Sequence, residues 1–177
     1  MSLSALLAFV MPKRSPSMRK RWPVLMLSCL LTLAGCRSPS CHADDDKAVR
    51  DAAAGFYAAL NALFVGDVSP MKDVWSHAED VTYMGPMGGF EVGWTKVLDV
   101  WEEQAALELG GKVEPSDVQV TVSRKLAVVS AVELGENTNA KGERQKVSIR
   151  ATNVFRKERG AWKMIGHHTD LLPYLAK

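Results

Sequence analysis

Three polar side chains in this sequence have the chemistry needed for proton transfer and for polarising a carbonyl group. His168 lies near the end of the chain, and an imidazole with its ordinary pKa of about 6.5 can both take and give a proton. Tyr83 offers a phenol and Asn153 an amide, and either group can bind a substrate oxygen. We therefore predict His168 as a general acid/base, with Tyr83 or Asn153 polarising a carbonyl. Packing or a hydrogen bond within the sheet is the alternative for each of them.

The orientation of His168 follows from the alternation of side chains along a strand. A regular strand places four residues on one face: Trp162, Met164, Gly166 and His168. His167 would point to the other face, so the two histidines cannot bind one metal ion. The run 77–80 contains His, Glu and Asp, but its spacing fits no closed zinc site. We predict no metal and expect no cofactor.

Large apolar side chains suggest a pocket for a small, flat, apolar molecule. The predicted lining is Phe56, Trp75, Met84, Trp94 and Trp101. Tryptophans at helical spacing are also common in protein cores, so core packing is the alternative for them.

The N-terminal segment has the features of a bacterial signal peptide. A basic start at residues 18–23 precedes an apolar run over 24–33, and the ending Leu33-Ala34-Gly35-Cys36 matches a lipobox. The apolar run is too short for a permanent membrane helix. We predict that residues 1–35 are a signal peptide, with Met18 as the true start, and that Cys36 is lipidated.

This interpretation predicts a protein anchored in the bacterial cell envelope, facing the periplasm or the exterior. Release of a soluble protein by cleavage after Ala43 is the alternative. Five of the 22 basic residues and none of the 20 acidic ones precede Cys36, so residues 36–177 carry a net charge of −3. Without a basic surface, a nucleic-acid partner is not expected. We assign residues 36–46 to a tether and 47–177 to a single domain.

The elements that must position these side chains change in period along the chain. Apolar residues recur every three or four positions from Val49 to Phe64, around Val74, and from Trp94 to Ala105, which predicts three helices. Beyond Gly111 the period becomes two, which predicts long antiparallel strands. The sequence therefore predicts an α+β fold, in which a strongly curved, cone-shaped antiparallel sheet wraps around the long N-terminal helix.

The order of several short motifs resembles the SnoaL-like, ketosteroid isomerase-like branch of the nuclear transport factor 2-like superfamily. The motifs are Phe56-Tyr57-Ala58-Ala59-Leu60-Asn61 with Gly66-Asp67, Trp75-Ser76, Gly85-Pro86, Gly93-Trp94 and the run 162–169. The similarity covers about Lys47 to Tyr174. It implies a cone-shaped domain with a cavity, in a superfamily that includes isomerases, cyclases, dehydratases and non-catalytic association domains.

The positions that serve ketosteroid isomerases differ in this chain. The resemblance places the family's catalytic base at Gly85 and its phenol at Phe56, and neither residue can do that chemistry. Near the place of the family's oxyanion-binding acid stand Thr152 and Asn153. Isomerisation of steroids is therefore disfavoured.

Three functions remain open at this point. The first is binding of a small apolar or carbonyl-containing molecule without catalysis. The second is an isomerase, cyclase or dehydratase that uses His168. The third is a structural domain that binds a protein partner. A homodimer formed through the outer face of the sheet is expected as well.

Overall fold

The computed structural model describes residues 39–139 and 141–170, which form three helices and six strands. The helices are α1 (Pro39–Leu63), α2 (Ser69–Val74) and α3 (Trp94–Ala105). The strands are β1 (Thr82–Gly85), β2 (Gly88–Val92), β3 (Lys112–Val122), β4 (Leu126–Thr138), β5 (Arg144–Glu158) and β6 (Ala161–Asp170). The predicted signal peptide, its start at Met18 and the lipidation site Cys36 lie outside the described residues.

The six strands form one curved, unclosed sheet in the order β2-β1-β6-β5-β4-β3. Strands β3 to β6 make the predicted antiparallel meander, whereas β1 pairs in parallel with β6. The predicted α+β fold, with a curved sheet and three helices, is confirmed.

Two local features differ from the prediction. Gly88 and Gly89 begin β2, a short strand that the side-chain pattern does not predict, and β2 pairs with β1 as a hairpin. Helix α1 begins at Pro39, so it reaches into the segment expected to be a tether. The acidic run 44–46, which the sequence assigns to the tether, therefore lies inside this helix.

The core lies between α1 and the concave face of the sheet. One side of α1 buries Val49, Phe56, Leu60 and Leu63 against this face. The sheet contributes alternating buried residues to this core, namely Ala127, Val129 and Ala131 from β4, and Ala151 and Phe155 from β5. Burial of this apolar surface supplies most of the driving force for the fold.

A β-bulge in β6 decides which residues of this strand face the core. Val154 pairs with Gly166 and Phe155 pairs with Met164, so Ile165 is an extra residue with no pairing partner across β5. One inserted residue reverses the alternation beyond it. His167 is therefore buried on the concave face, and His168 is exposed on the convex face.

Candidate functional site

A cavity of about 400 Å³ opens between α3, the β1–β2 hairpin and the concave ends of β4 to β6. Its walls are mostly apolar and include Val100, Leu109, Val113, Val147 and Ile149. Met87 and Leu107 line the mouth and are 93% and 57% exposed. The cavity has the size and the lining that suit a small organic ligand.

Polar side chains gather at one part of the cavity lining, which we call the floor: Tyr83, Trp101, Gln104, Glu133, His167 and Thr169. All of them are buried except Gln104, which is half-buried. Three of their atoms are buried and have no hydrogen-bond partner among the described residues, namely Trp101 Nε1, Glu133 Oε1 and Thr169 Oγ1. Leaving a polar group buried and unpaired costs about 1–3 kcal/mol. A molecule in the cavity can supply partners for these three atoms.

Glu133 is the acidic residue of the floor. Strand alternation carries it to the concave face after Ala127, Val129 and Ala131, and it is 3% exposed. Burial raises the pKa of its carboxyl to about 7, while a hydrogen bond from the Tyr57 hydroxyl favours the ionised form. A carboxyl with this pKa can give or take a proton near neutral pH.

A chain of hydrogen bonds connects Glu133 with His167. Asn153 Nδ2 donates to the Tyr57 hydroxyl at 3.3 Å, and His167 Nδ1 lies 2.6 Å from Asn153 Oδ1. Burial, together with the nearby His168, lowers the pKa of His167 to about 3, so His167 is neutral near pH 7. Burial and the charge of Glu133 also hold the pKa of Tyr57 above its ordinary range.

Tyr83 contributes to the floor from β1. Its hydroxyl accepts a hydrogen bond from Gln104 Nε2 at 2.8 Å, and its ring stacks on His167 with centroids 5.7 Å apart. Burial raises the pKa of Tyr83 to about 12, so the phenol keeps its proton. Gly85 makes room for it, because a Cβ at position 85 would lie 2.3 Å from the Tyr83 hydroxyl oxygen.

The structure separates the predicted site residues into three groups. Tyr83 and Trp101 line the cavity. Asn153 lies behind the floor, buried and bonded to Tyr57 and His167, and Phe56 packs on His167 with centroids 4.9 Å apart.

The remaining predicted residues do not reach the cavity. Trp75 and Trp94 pack against each other outside the cavity lining, with ring centroids 6.4 Å apart. Their predicted placement in the pocket is therefore wrong. Trp75 is 1% exposed and belongs to the core instead. The prediction that Met84 lines the pocket is also wrong. Met84 pairs with His168 across β1 and β6, and both lie on the convex side of the sheet.

The prediction that His168 faces the cavity is wrong, because the bulge at Ile165 turns His168 outward and His167 inward. Sequence reasoning also missed Glu133. The signal was available, since Glu133 is the single carboxylate that continues the apolar alternation of β4. Tyr57 was also missed: it lies about 100° around α1 from Phe56, yet both side chains are buried.

Neither a metal site nor a membrane span is evident within residues 39–139 and 141–170. No cluster of three or more His, Cys, Asp or Glu side chains there is arranged to hold a metal ion. None of the helices in that part combines the length and the hydrophobicity that a membrane crossing requires.

The sequence matches the family model of the SnoaL-like domain over residues 49–172. The chain belongs to the SnoaL-like domain family. Its motif-based assignment to the SnoaL-like branch is thereby confirmed. No protein of curated function shows significant sequence similarity to this SnoaL-like chain.

Solved structures share the SnoaL-like fold. A candidate dehydratase of the NTF2-like family from Streptomyces avermitilis is 24% identical, with a TM-score of 0.64 over 74% of this chain and 98% of that one. An NTF2-like superfamily protein from Salmonella enterica serovar Typhimurium is 12% identical, with a TM-score of 0.65 over 77% and 98%. A candidate ketosteroid isomerase from Shewanella frigidimarina is 20% identical, with a TM-score of 0.59 over 71% and 96%. At these identities the likeness establishes the fold alone.

Proposed function

We propose that this SnoaL-like domain binds a small, largely apolar molecule whose polar end, a carbonyl or hydroxyl group, meets the floor of the cavity. The observation that carries the proposal is the set of buried, unpartnered polar atoms at the floor, on Trp101, Glu133 and Thr169. An apolar wall contributes affinity, and the polar floor orients the ligand.

Blocking the cavity tests this proposal. Val147→Phe fills the cavity from β5, and Val128→Phe places the same bulk on the convex face, where Val128 is 37% exposed. Binding of 1-tetralone to the full chain, measured by calorimetry, is expected to weaken at least tenfold in Val147→Phe and less than twofold in Val128→Phe. Equal affinity in both variants would contradict the proposal.

Glu133 favours a second function, proton transfer of the isomerase or dehydratase type. In this reaction the ionised Glu133 removes a proton from the carbon next to a bound carbonyl, and Tyr83 donates a hydrogen bond to the developing enolate oxygen. The proton then returns from Glu133 to another carbon or is exchanged with solvent.

Exchange of the α-protons of 1-tetralone for deuterium, followed by NMR in heavy water, measures this step. The full chain is expected to accelerate the exchange, and Glu133→Gln to lose about a hundredfold of that acceleration. His168→Ala serves as the control, since His168 is exposed on the other face. Exchange at the same rate in Glu133→Gln would contradict a role for this carboxyl.

Anchoring in the cell envelope is part of the proposal. It rests on the basic start, the apolar run and the lipobox of residues 18–36. A mature N-terminus at Cys36 carrying lipid is the expected result of intact mass measurement on protein from its native source. An unmodified N-terminus at Asp44 would instead indicate release after Ala43.

Pairing of two copies through the convex face is likewise proposed. This face exposes apolar side chains of β4, namely Leu126, Val128 and Leu134, which are 49%, 37% and 43% exposed. A self-complementary patch of this kind suits a twofold contact. Light scattering on the full chain in detergent is expected to give a dimer mass, and Leu134→Arg a monomer. A monomer before substitution would contradict the pairing.

A further inference from the structure

Two amide side chains, Gln104 and Asn153, fix the direction of the hydrogen bonds at the floor of the cavity. An amide has one donating end and one accepting end, so each group bonded to it is left with a defined role toward a ligand. Gln104 acts on Tyr83, and Asn153 acts on His167.

Gln104 makes Tyr83 a hydrogen-bond donor. Gln104 Nε2 donates to the phenol oxygen at 2.8 Å, which leaves the phenol proton free of this bond. The absence of a Cβ at Gly85 lets the hydroxyl occupy its place beside β1. Tyr83 lines the cavity, so its proton is available to an acceptor oxygen of a ligand.

Asn153 makes His167 a hydrogen-bond acceptor. The Nδ2 end of Asn153 donates to Tyr57, so its Oδ1 end faces His167 Nδ1 and accepts the proton there. A neutral imidazole carries one proton, which leaves Nε2 with a lone pair. The ring cannot turn freely, because Phe56 and Tyr83 lie against it at centroid distances of 4.9 and 5.7 Å.

From this geometry we propose that Gln104 and Asn153 are specificity-determining residues, which select a ligand carrying both an acceptor oxygen for Tyr83 and a donor for His167. A hydroxycarbonyl compound meets both requirements. The inference rests on the proposed binding function and narrows it to a chemical class. The two amides act as positioning residues, through Tyr83 and His167.

Four probes of one shape test the selection: tetralin, 1-tetralone, 1-tetralol and 2-hydroxy-1-tetralone. Affinities for the full chain are measured by calorimetry at pH 7.5. Each added hydrogen bond is worth about 1 kcal/mol, or a factor of about five to ten in affinity. The hydroxyketone is expected to bind most tightly, the ketone and the alcohol less tightly, and tetralin most weakly.

Gln104→Glu tests the cause of the selection. A carboxylate at position 104 accepts the phenol proton, so Tyr83 can no longer donate it to a ketone. We expect the affinity for 1-tetralone and 2-hydroxy-1-tetralone to fall about tenfold, and that for 1-tetralol to change less than threefold. Gln119→Glu, an exposed site on β3, is the matched control for the added charge.

The outcomes separate the inference from the function on which it rests. If tetralin binds as tightly as the hydroxyketone, or Gln104→Glu weakens all four probes equally, the inference is overturned while binding in the cavity stands. If none of the probes binds, both fail. Should Gln104→Glu not fold, ¹⁵N NMR of the imidazole nitrogens still decides, since a protonated Nε2 on His167 would contradict the proposed selection.

Discussion

The two ends of the space between α1 and the sheet are built from the same strands but serve different purposes. At the closed end, Trp75, Phe155 and Met164 fill the interior and are at most 1% exposed. At the cavity end, the continuation of β5 through Val147 and Ile149 faces open space instead of side chains. Strand alternation is the same at both ends, so it does not decide between core and cavity.

Polar groups mark the difference between the ends. The cavity end carries Glu133, His167 and Thr169 on the concave face, where the closed end has Ala127, Phe155 and Met164. A buried carboxyl and unpaired polar atoms reduce stability, so they are a cost that the closed end must offset. The comparison indicates that stability comes mainly from the closed end, while the proposed binding site lies at the other.

Truncation of a large side chain at each end gives the largest expected contrast. Phe155→Ala leaves a cavity at a fully buried site and is expected to lower the free energy of unfolding by about 3–5 kcal/mol. Val147→Ala enlarges a space that already exists and is expected to cost about 1 kcal/mol or less. Urea unfolding followed by circular dichroism measures both values. Similar losses in the two variants would break the comparison.

The pH dependence of stability tests the polar end next. Between pH 4.5 and 7 the folded state keeps the Glu133 proton that the unfolded chain releases, so rising pH favours unfolding. His167 acts in the opposite direction. Below pH 6.5 the unfolded chain binds a proton at His167, whereas the folded state does not bind it until about pH 3, so rising pH favours folding. The two contributions oppose each other between pH 4.5 and 6.5.

Glu133→Gln removes one of these contributions. At pH 8 the free energy of unfolding of the variant is expected to be about 3 kcal/mol higher than that of the unsubstituted chain. The reason is that the pKa of Glu133, raised from 4.5 to about 7, opposes folding above pH 7. Its stability should also rise from pH 4.5 to 6.5, because the opposing contribution of Glu133 is gone and that of His167 remains. Equal stability at pH 8 would mean that Glu133 is not buried as described.

Asn61 gives a smaller effect, because it stabilises the cavity end by hydrogen bonds. Its side chain donates to the Val113 carbonyl at 2.9 Å and accepts from the Val113 N–H at 2.8 Å, so it ties α1 to β3. Asn61→Ala is expected to lower the free energy of unfolding by about 2 kcal/mol, since both backbone groups lose their partner. Asn61→Asp keeps the acceptor and should lose about half as much. Urea unfolding of the two variants provides the comparison.

The neighbouring histidines give the smallest effect and the cleanest control. His168→Ala is expected to change the affinity for 1-tetralol less than twofold, because His168 is exposed on the convex face. His167→Phe removes the Nε2 acceptor and is expected to lower the same affinity about five- to tenfold. Calorimetry at pH 7.5 gives both values, and the reverse order would restore the original prediction for His168.

The sequence predicted the fold well because periodicity is a property of many residues at once. The apolar stripe of α1 and the alternation of β4 and β5 survive any single irregularity. The β1–β2 hairpin was missed because Gly88 and Gly89 have no side chains whose alternation could indicate a strand. Both adopt positive φ values, 96° and 89°, which are more typical of loops.

The site was predicted less well because it depends on single residues. One extra residue at Ile165 reverses the orientation of His167 and His168, and nothing in the local sequence marks that bulge. The family resemblance does not point to Glu133, because the catalytic positions of ketosteroid isomerases correspond to Gly85 and Phe56 in this chain. Its place on the apolar face of β4 was visible from alternation alone.

The most direct test of the account is an NMR titration of the glutamate side-chain carboxyls, with Glu133→Gln used to assign the resonance. We predict one carboxyl resonance that titrates near pH 7, is absent in the variant and shifts when 2-hydroxy-1-tetralone is added. A Glu133 resonance that titrates near pH 4.5 and ignores the probe would contradict a buried carboxyl facing the ligand.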